Sequence, residues 1–234
     1  MVRLGGINAL AHYELYPYAD AGTRVALKSY LREDLDANLD EAIANPFRIS
    51  TDYGWGSASV MTGTVVMCHL YKKLLPAEAT YDALCDEVRD YLLGKNQWGV
   101  SWIVGVGDNY TKDPHHQIAN ILQREIRGMC IEGPMSLAEW QGMGIVLSGP
   151  DEYAAFQSST AVYHDDVSDW ATNEPTIFQA AMTLCAVAPL ASSHAGDFAY
   201  PVKISFQPSS SPVPPDHLAD AGFRYLASRA YGWR

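Results

Sequence analysis

The first regular pattern of apolar and polar positions begins after Asp20. Leucine or isoleucine recurs there at every fourth residue, with charged residues between, at Leu27, Leu31, Leu35, Leu39 and Ile43. Apolar residues at this spacing form one face of an α-helix. Asn45 and Pro46 end the pattern, so we predict an amphipathic helix that begins near Asp20 and stops before this pair.

Further helical patterns follow along the chain. The stretch 57–75 is apolar around most of a helical circumference, which predicts an inner helix packed on two sides. Thr80 is a suitable cap for a third helix, and Gly94 is a suitable residue to end it. A weak pattern covers 118–127 and a clearer one covers 174–187. Helices in succession predict an all-α fold.

The helical pattern decays towards the C-terminus. Residues 198–207 favour a short strand, 208–215 have the composition of a linker, and 216–229 favour a modest helix. We therefore predict one domain over residues 1–187 and an irregular tail over 188–234.

Composition narrows the functional classes. The 234 residues are 48% apolar and 18% charged, and they contain no apolar run of membrane-spanning length. Sixteen basic against 27 acidic residues give a formal net charge of −11, which repels phosphate backbones and anionic headgroups. We expect neither nucleic acid nor a membrane as a partner.

The four cysteines are far apart and show no C-x-x-C spacing. Three of them fall within apolar helical patterns, which predicts buried thiols rather than a disulfide or zinc framework. The first 20 residues lack the order of charged, apolar and small residues of a secretory signal, so we expect no signal peptide in this chain.

Three loops combine aromatic side chains with hydrogen-bonding groups: "NPFRISTDYGWGS" (45–57), "SWIVGVGDNYTKDPHHQ" (101–117) and "YHDDVSDWATNEP" (163–175). Aromatic faces with polar groups at their rim can hold a neutral, hydroxyl-rich ligand such as a sugar. Trp98 and Trp102 fit either a core or such a site, and the sequence leaves both open.

Two of these loops carry long, gapped signatures. The second loop has Ser101-x-Ile103-Val104-x-x-Gly107-x-Asn109-x-x-x-x-Pro114-His115, and the third has Tyr163-x-Asp165-x-x-x-x-Trp170-x-x-x-Glu174-x-Thr176. In this order they resemble the histidine and acidic signatures of glycoside hydrolase family 9, the family of cellulases and endoglucanases. The resemblance covers about residues 20–187 and corresponds to the C-terminal half of that catalytic domain.

The resemblance implies a fold and partners. It predicts a partial (α/α)6 barrel, about half of the helical toroid, with long functional loops and an irregular C-terminal tail. Half a barrel exposes apolar faces of its inner helices, so we expect a homo-oligomer, a missing N-terminal half or the chain's own ends to cover them. It also implies secretion and a β-1,4-glucan or cello-oligosaccharide as substrate.

The resemblance also implies the catalytic roles. It makes Glu174 the general acid that protonates the departing glycosidic oxygen, and we expect Trp170 and Ile177 to bury it in part. Asp165 corresponds to a supporting carboxylate that orients the site. His115 corresponds to the histidine that contacts sugar near the cleaved bond.

The sugar contacts come from the same comparison of motifs. Trp55 is a candidate platform for a sugar ring, and Tyr163, Trp170 and Gln117 are further substrate-binding candidates. Gln117 stands where the family's histidine signature has arginine, so a neutral amide replaces a cation. Ala180 stands where the acidic signature has asparagine. Both departures predict weaker binding or slower reaction.

The family's catalytic base is an aspartate pair, and no such pair is identified here. "YADAG" around Asp20 resembles it, but we interpret it as a helix start. The predicted function is a cellulase-type endo-β-1,4-glucanase that inverts configuration, in a form truncated before its base. The alternative is a catalytically inactive half-domain that binds glucan or serves in assembly.

Other chemistries are disfavoured. His115 and His116 are adjacent and point apart, with no third ligand at a fixed spacing, so we predict no metal site. We predict no cofactor, and the sequence does not indicate calcium. No Ser-His-Asp arrangement points to an esterase. Asp166 and Asp169 are expected to be solvated or to cap the loop.

Overall fold

The computed structural model describes residues 5–191, 203–206, 212 and 217–220. Backbone contacts divide the chain into two compact units, Met1–Pro189 and Leu190–Arg234. The helices are α1 (Gly5–Leu15), α2 (Ala21–Ala44), α3 (Ser57–Leu74), α4 (Asp82–Leu92), α5 (Gln117–Leu122), α6 (Leu137–Gly142), α7 (Trp170–Asn173) and α8 (Ile177–Ala191). Short 3₁₀ turns cover Tyr16–Tyr18 and Ala154–Phe156.

Helix α2 confirms the first prediction and corrects one part of it. Asp20 caps the helix, because its Oδ1 accepts a hydrogen bond from the Thr23 amide at 2.8 Å. Leu27 and Leu35 are buried, but Ile43 is 59% exposed. Residues four apart turn about 40° beyond a full turn at each step, so the last member of the series lies off the buried face.

Helix α3 is the inner helix that the sequence predicts, since 13 of its 18 residues are buried. It packs against α1, α2 and α4. Helix α4 begins at Asp82 with Tyr81 as its N-terminal flank, so Thr80 is not the cap. Gly94 follows α4 with a positive φ of 113°, as expected for a residue after a helix end. Helix α1 had no clear sequence pattern.

Helices α1 and α3 approach each other closely where two glycines meet. A Cβ added to Gly6 would lie 2.8 Å from the Gly63 Cα and would also overlap the end of the Met182 side chain. Only glycine at position 6 therefore permits this separation of the two backbones.

An aromatic cluster forms the core beneath the loops. Trp98 and Trp102 are 4% and 0% exposed, which settles that both belong to the core. Tyr163 is fully buried, and its ring centre lies 4.5 Å from that of Trp102 and 5.9 Å from that of Trp98. The edge-to-face contacts are a favourable arrangement of aromatic rings.

The later helices are shorter or shifted relative to their predictions. Helix α5 ends at Leu122, because Gln123 adopts a left-handed conformation with φ 47°. Helix α8 begins at Ile177 rather than Glu174. Thr176 Oγ1 accepts from the Gln179 amide and Gln179 Oε1 accepts from the Thr176 amide, so this reciprocal cap fixes the start.

Cys68, Cys85 and Cys130 are buried, as predicted, and Cys185 is partly buried; all four are free thiols. Within the described ranges, no helix is long and apolar enough to cross a membrane.

In the second unit, β1 (Lys203–Phe206) and β2 (His217–Asp220) form a parallel pair. The strand predicted over 198–207 is confirmed where it is described. The helix predicted over 216–229 is wrong at its start, where β2 lies, and its remainder lies outside the described residues. Backbone pairing with β1 replaces helical hydrogen bonds there. The linker predicted over 208–215 also lies outside the described residues, except for Pro212.

The contact between α1 and α3 is tested by Gly6→Ala. The added methyl group forces the two backbones apart, so we expect the free energy of unfolding to fall by about 1–3 kcal/mol in urea denaturation. Gly142→Ala is the matched control, because nothing lies within 4 Å of a Cβ at that position. Equal stability of the Gly6→Ala variant and the wild type would contradict the close approach.

Candidate functional site

Three distant segments lie side by side through backbone hydrogen bonds. The Ile131 amide donates to the Trp102 carbonyl at 3.1 Å, and the Glu132 amide donates to the Glu174 carbonyl at 3.0 Å. Ile131 also forms an antiparallel bridge with Pro175. We call this arrangement the site ladder; its segments are 101–104, 129–132 and 172–175. It fixes the backbone on both sides of Glu174.

The turn before α3 joins the site ladder. The Ala58 amide at the start of α3 donates to the Glu132 carbonyl at 2.9 Å, and the Ser57 hydroxyl donates to the Pro134 carbonyl at 2.6 Å. Gly56 precedes them with φ 81°. A Cβ at Gly56 would lie 3.1 Å from Glu132 Oε2, so glycine leaves room for that carboxylate. The first predicted loop therefore lies beside the third.

Asp165 connects the second and third loops. Its carboxylate accepts hydrogen bonds from the amides of Lys112 and Asp113 at 2.6 and 2.9 Å. The Thr111 hydroxyl lies 2.7 Å from Asp165 Oδ1 and 2.7 Å from Asn173 Oδ1. This geometry suits the predicted role of Asp165 in orienting the site, and the role itself stays a prediction.

His115 is held from two sides. Its amide donates to the Asn173 carbonyl at 2.9 Å, and its Nδ1 lies 2.5 Å from the Val167 carbonyl. A carbonyl oxygen only accepts, so Nδ1 carries a proton, and whenever the ring is neutral Nε2 is the acceptor. The adjacent His116 instead accepts from the Ala119 amide and caps α5.

Trp55 and Trp170 lie together, with ring centres 5.7 Å apart and planes at 76°. Trp55 is 51% exposed, while Trp170 is partly buried against a small apolar cluster. An exposed indole face supported by a second ring is suited to stack on the C–H face of a sugar. Their function as sugar contacts stays a prediction.

Glu174 lies outside any helix. Its backbone is extended, with φ −82° and ψ 126°, and it links α7 to the start of α8. The side chain is partly buried. Ile177 does not contribute to this burial, contrary to our expectation, because it is 92% exposed on the outer face of α8.

Two further predicted contacts are placed differently. Tyr163 is fully buried in the aromatic core, so the expectation that it contacts a ligand is wrong for this structure. The tyrosine of the signature packs beneath the loop instead. Gln117 is exposed as the first residue of α5.

Asp166 and Asp169 have the loop and capping functions that the sequence predicts. Asp169 Oδ1 accepts from the amides of Ala171 and Thr172. Burial opposes charge on Asp166, yet hydrogen bonds from the amides and hydroxyl of the surrounding turns hold its pKa below the ordinary value. Both carboxylates stabilise the backbone rather than face a ligand.

Glu132 belongs to the site but was not predicted from the sequence. It is 8% exposed, and burial, with the nearby charge of Glu174, raises the pKa of its carboxyl group to about 7. A signal existed, since Glu132 is the one charged residue in the apolar stretch 128–135. Such a carboxyl is seldom buried without a specific partner.

Other carboxyl groups gather around Asp165. Burial and the charges of Asp165 and Asp166 raise the pKa of Asp113, and burial and the charge of Asp165 raise that of Glu152. Among the described residues, no group of three or more histidine, cysteine or acidic side chains has the geometry to hold a metal ion.

A cavity of about 210 Å³ lies between the second loop and α5. Its lining includes Lys112, Asp113, Arg124 and Glu125, which give it mixed charge, and does not include Glu174. The candidate acid is therefore not part of this cavity.

Comparisons with known proteins agree on one family. The family model described as Glycosyl hydrolase family 9 matches residues 5–187. Endoglucanase 15 of Arabidopsis thaliana is 32% identical over 111 residues, which cover 44% of this chain and 21% of that protein. Xyloglucan-specific endo-beta-1,4-glucanase BoGH9A of Bacteroides ovatus is 26% identical over 166 residues, 68% of this chain and 27% of that protein.

Solved structures give the same fold. GH family 9 endoglucanase J30 superposes with a TM-score of 0.58 at 26% identity, over 74% of this chain and 32% of that chain. A metagenome-derived glycoside hydrolase family 9 endoglucanase gives a TM-score of 0.63 at 20% identity, over 79% of this chain and 32% of its own. The chain thus covers less than a third of the length of these relatives. These likenesses confirm the predicted partial (α/α)6 barrel.

The buried carboxyl of Glu132 predicts a pH-dependent stability. Its pKa is about 7 in the folded state against 4.5 as the ordinary value, so folding favours the protonated form. The stabilisation is complete below about pH 4.5 and is lost as the pH rises through 7. The free energy of unfolding of Glu132→Gln minus that of wild type should therefore rise by about 3 kcal/mol from pH 4.5 to pH 8.

Urea denaturation of both proteins across this range measures the gain. Glu139→Gln on α6 is the control, because it removes an exposed carboxyl group. A constant stability difference between wild type and Glu132→Gln over the whole pH range would contradict the burial of a titrating carboxyl.

Proposed function

The chain belongs to glycosyl hydrolase family 9, and we propose that it serves the hydrolysis of β-1,4-glucans with inversion of configuration, with Glu174 as general acid. Relatives named endoglucanases support this proposal.

The observation that carries the proposal is the joining of the two signature loops. His115 from the second loop donates its amide to Asn173, directly before Glu174, and Asp165 from the third loop binds the amides of Lys112 and Asp113. The candidate acid, its supporting carboxylate and the candidate sugar-contacting histidine thus belong to one hydrogen-bonded unit.

Hydrolysis would proceed by general acid and base catalysis. Glu174 donates its proton to the glycosidic oxygen while the bond from the anomeric carbon to that oxygen breaks, and the oxygen keeps the electron pair. A water molecule attacks the anomeric carbon from the opposite face and loses its proton to a second carboxylate. The chemistry requires no metal or other cofactor.

We propose that the second carboxylate comes from the remainder of the barrel. Asp20, the nearest match to the family's base, is committed to the cap of α2 through Thr23. The outer face of α8 exposes Ile177 and Leu184, seven residues apart, at 92% and 63%. An apolar stripe of this kind is suited to be covered by a neighbouring barrel helix.

The proposed substrate is a neutral glucan chain outside the cell. The exposed face of Trp55 offers a platform for a sugar ring, and His115 Nε2 offers an acceptor for a sugar hydroxyl. A formal charge of −11 does not oppose an uncharged polymer. Because such a polymer does not cross membranes, its hydrolase is expected to be secreted.

The second candidate function is glucan binding without hydrolysis. The engagement of Asp20 in a helix cap favours it, because the chain then binds sugar through Trp55 and His115 without activating water. The two candidates differ in whether glycosidic bonds are broken, and hydrolysis and binding measurements separate them.

Glu174→Gln tests the proposed acid. The amide cannot donate a carboxyl proton, so release of reducing sugar from a soluble cellulose derivative should fall at least 100-fold. Glu139→Gln, with the same change at an exposed position on α6, should retain the wild-type rate. Equal rates for wild type and Glu174→Gln, measured together with the remainder of the barrel that carries the second carboxylate, would contradict hydrolysis by this acid.

Trp55→Ala tests the proposed sugar platform. Loss of the stacking face should weaken cello-oligosaccharide binding about 10-fold in calorimetry, whichever candidate function holds. Tyr18→Ala is the control, since it removes another highly exposed aromatic ring, from the first 3₁₀ turn. An unchanged affinity in the Trp55 variant would exclude the platform.

A further inference from the structure

Glu132 lies directly opposite Glu174 in the site ladder. Ile131 pairs with Pro175 in an antiparallel bridge, and the Glu132 amide donates to the Glu174 carbonyl at 3.0 Å. Residues opposite each other in an antiparallel pair project their side chains to the same face, with Cβ atoms about 5 Å apart. Two carboxyl groups therefore share one side of the ladder.

The surroundings of Glu132 disfavour its charged form. The titratable groups that face it are Glu174, from the paired segment, and Cys130, from its own segment. Helix α8 contributes the neutral Gln179, whose hydrogen bond lowers the pKa of Glu132 against these larger effects, and the turn before α3 contributes Gly56. Like charges in direct opposition are unfavourable, so a proton on one of the two carboxyl groups relieves the repulsion.

Gln179 adds a polar group to this pair. It is 1% exposed, and its Oε1 is occupied by the Thr176 amide. Its Nε2 is buried without a hydrogen bond of normal geometry and faces the Glu132 side. The Nε2 group only donates, so it is suited to bind either carboxyl oxygen of Glu132 as the proton moves.

We propose that Glu132 is a positioning residue that holds a proton for Glu174. The proposal rests on the proposed function, in which Glu174 loses a proton to the glycosidic oxygen. Before the glycosidic bond breaks, the O–H bond of Glu132 breaks and the proton forms a new O–H bond on the Glu174 carboxylate, which then passes it to the glycosidic oxygen. Glu132 becomes a carboxylate and regains a proton from solvent water, so each turnover closes without a redox step.

The burial and opposition of the two groups agree with the pKa of about 7 for Glu132. A group with this pKa still carries a proton near neutral pH and releases it without a large barrier. Since Glu132 does not touch substrate, its loss should alter the pH dependence of kcat and leave KM unchanged.

The first test is a titration that needs no activity. In protein with ¹³C-labelled glutamate carboxyl groups, the Glu132 resonance, assigned through Glu132→Gln, should titrate near pH 7. In Glu174→Gln, the opposing charge is absent, so the titration should move down by on the order of one pH unit. Titration of Glu132 at the same pH in both proteins would overturn the proposal.

The second test compares two substrates. With a cello-oligosaccharide, Glu132→Gln should lose about 10-fold in kcat near pH 7 and much less near pH 5, where solvent supplies protons more readily. With a dinitrophenyl cellobioside, whose leaving group needs no proton, the variant and wild type should react equally. A variant that is equally slow on both substrates, or unaffected on both, would overturn the proposal.

The two hypotheses fail in different ways. A wild-type chain that hydrolyses neither substrate even when the remainder of the barrel is supplied contradicts the proposed function, and the titration then decides alone whether Glu132 holds the proton of the pair. An active wild type with a normal pH profile in Glu132→Gln contradicts only the role of Glu132.

Discussion

The site depends on backbone pairing among segments that have no regular structure of their own. Glu174 lies between two helices and is fixed by the hydrogen bond from the Glu132 amide and the bridge beside it. The same ladder reaches the core, because the Trp102 carbonyl accepts from Ile131 while the Trp102 ring packs against Tyr163. Core packing and the position of the candidate acid therefore depend on shared residues.

The acidic residues of the third loop serve mainly to hold its backbone in place. Asp165 binds amides of the second loop, Asp166 binds the amides of Ser148 and Gly149, and Asp169 caps α7. A long loop leaves many backbone amides without helical partners, and carboxylates are strong acceptors for them. Glu174 differs from these three in position, since it lies across the ladder from another carboxyl group.

The sequence predicted the parts of the fold that local periodicity determines. Helices α2 and α3 and the burial of Cys68 and Cys85 follow from apolar spacing and are confirmed. The gapped signatures identified the family, which the comparisons show. Placement across long sequence distances could not be predicted in this way. Tyr163 was predicted to contact a ligand but lies in the core. Glu132 was not identified because Glu174, which lies next to it in the structure, is distant along the chain.

The site ladder also has a consequence for the order of folding. Helices α2, α3 and α4 follow one another and pack locally, whereas the ladder closes loops of roughly thirty and forty residues. Contacts between residues distant in sequence form more slowly than local ones. The helical layer is therefore expected to assemble first, and the ladder that positions the candidate acid is expected to close later.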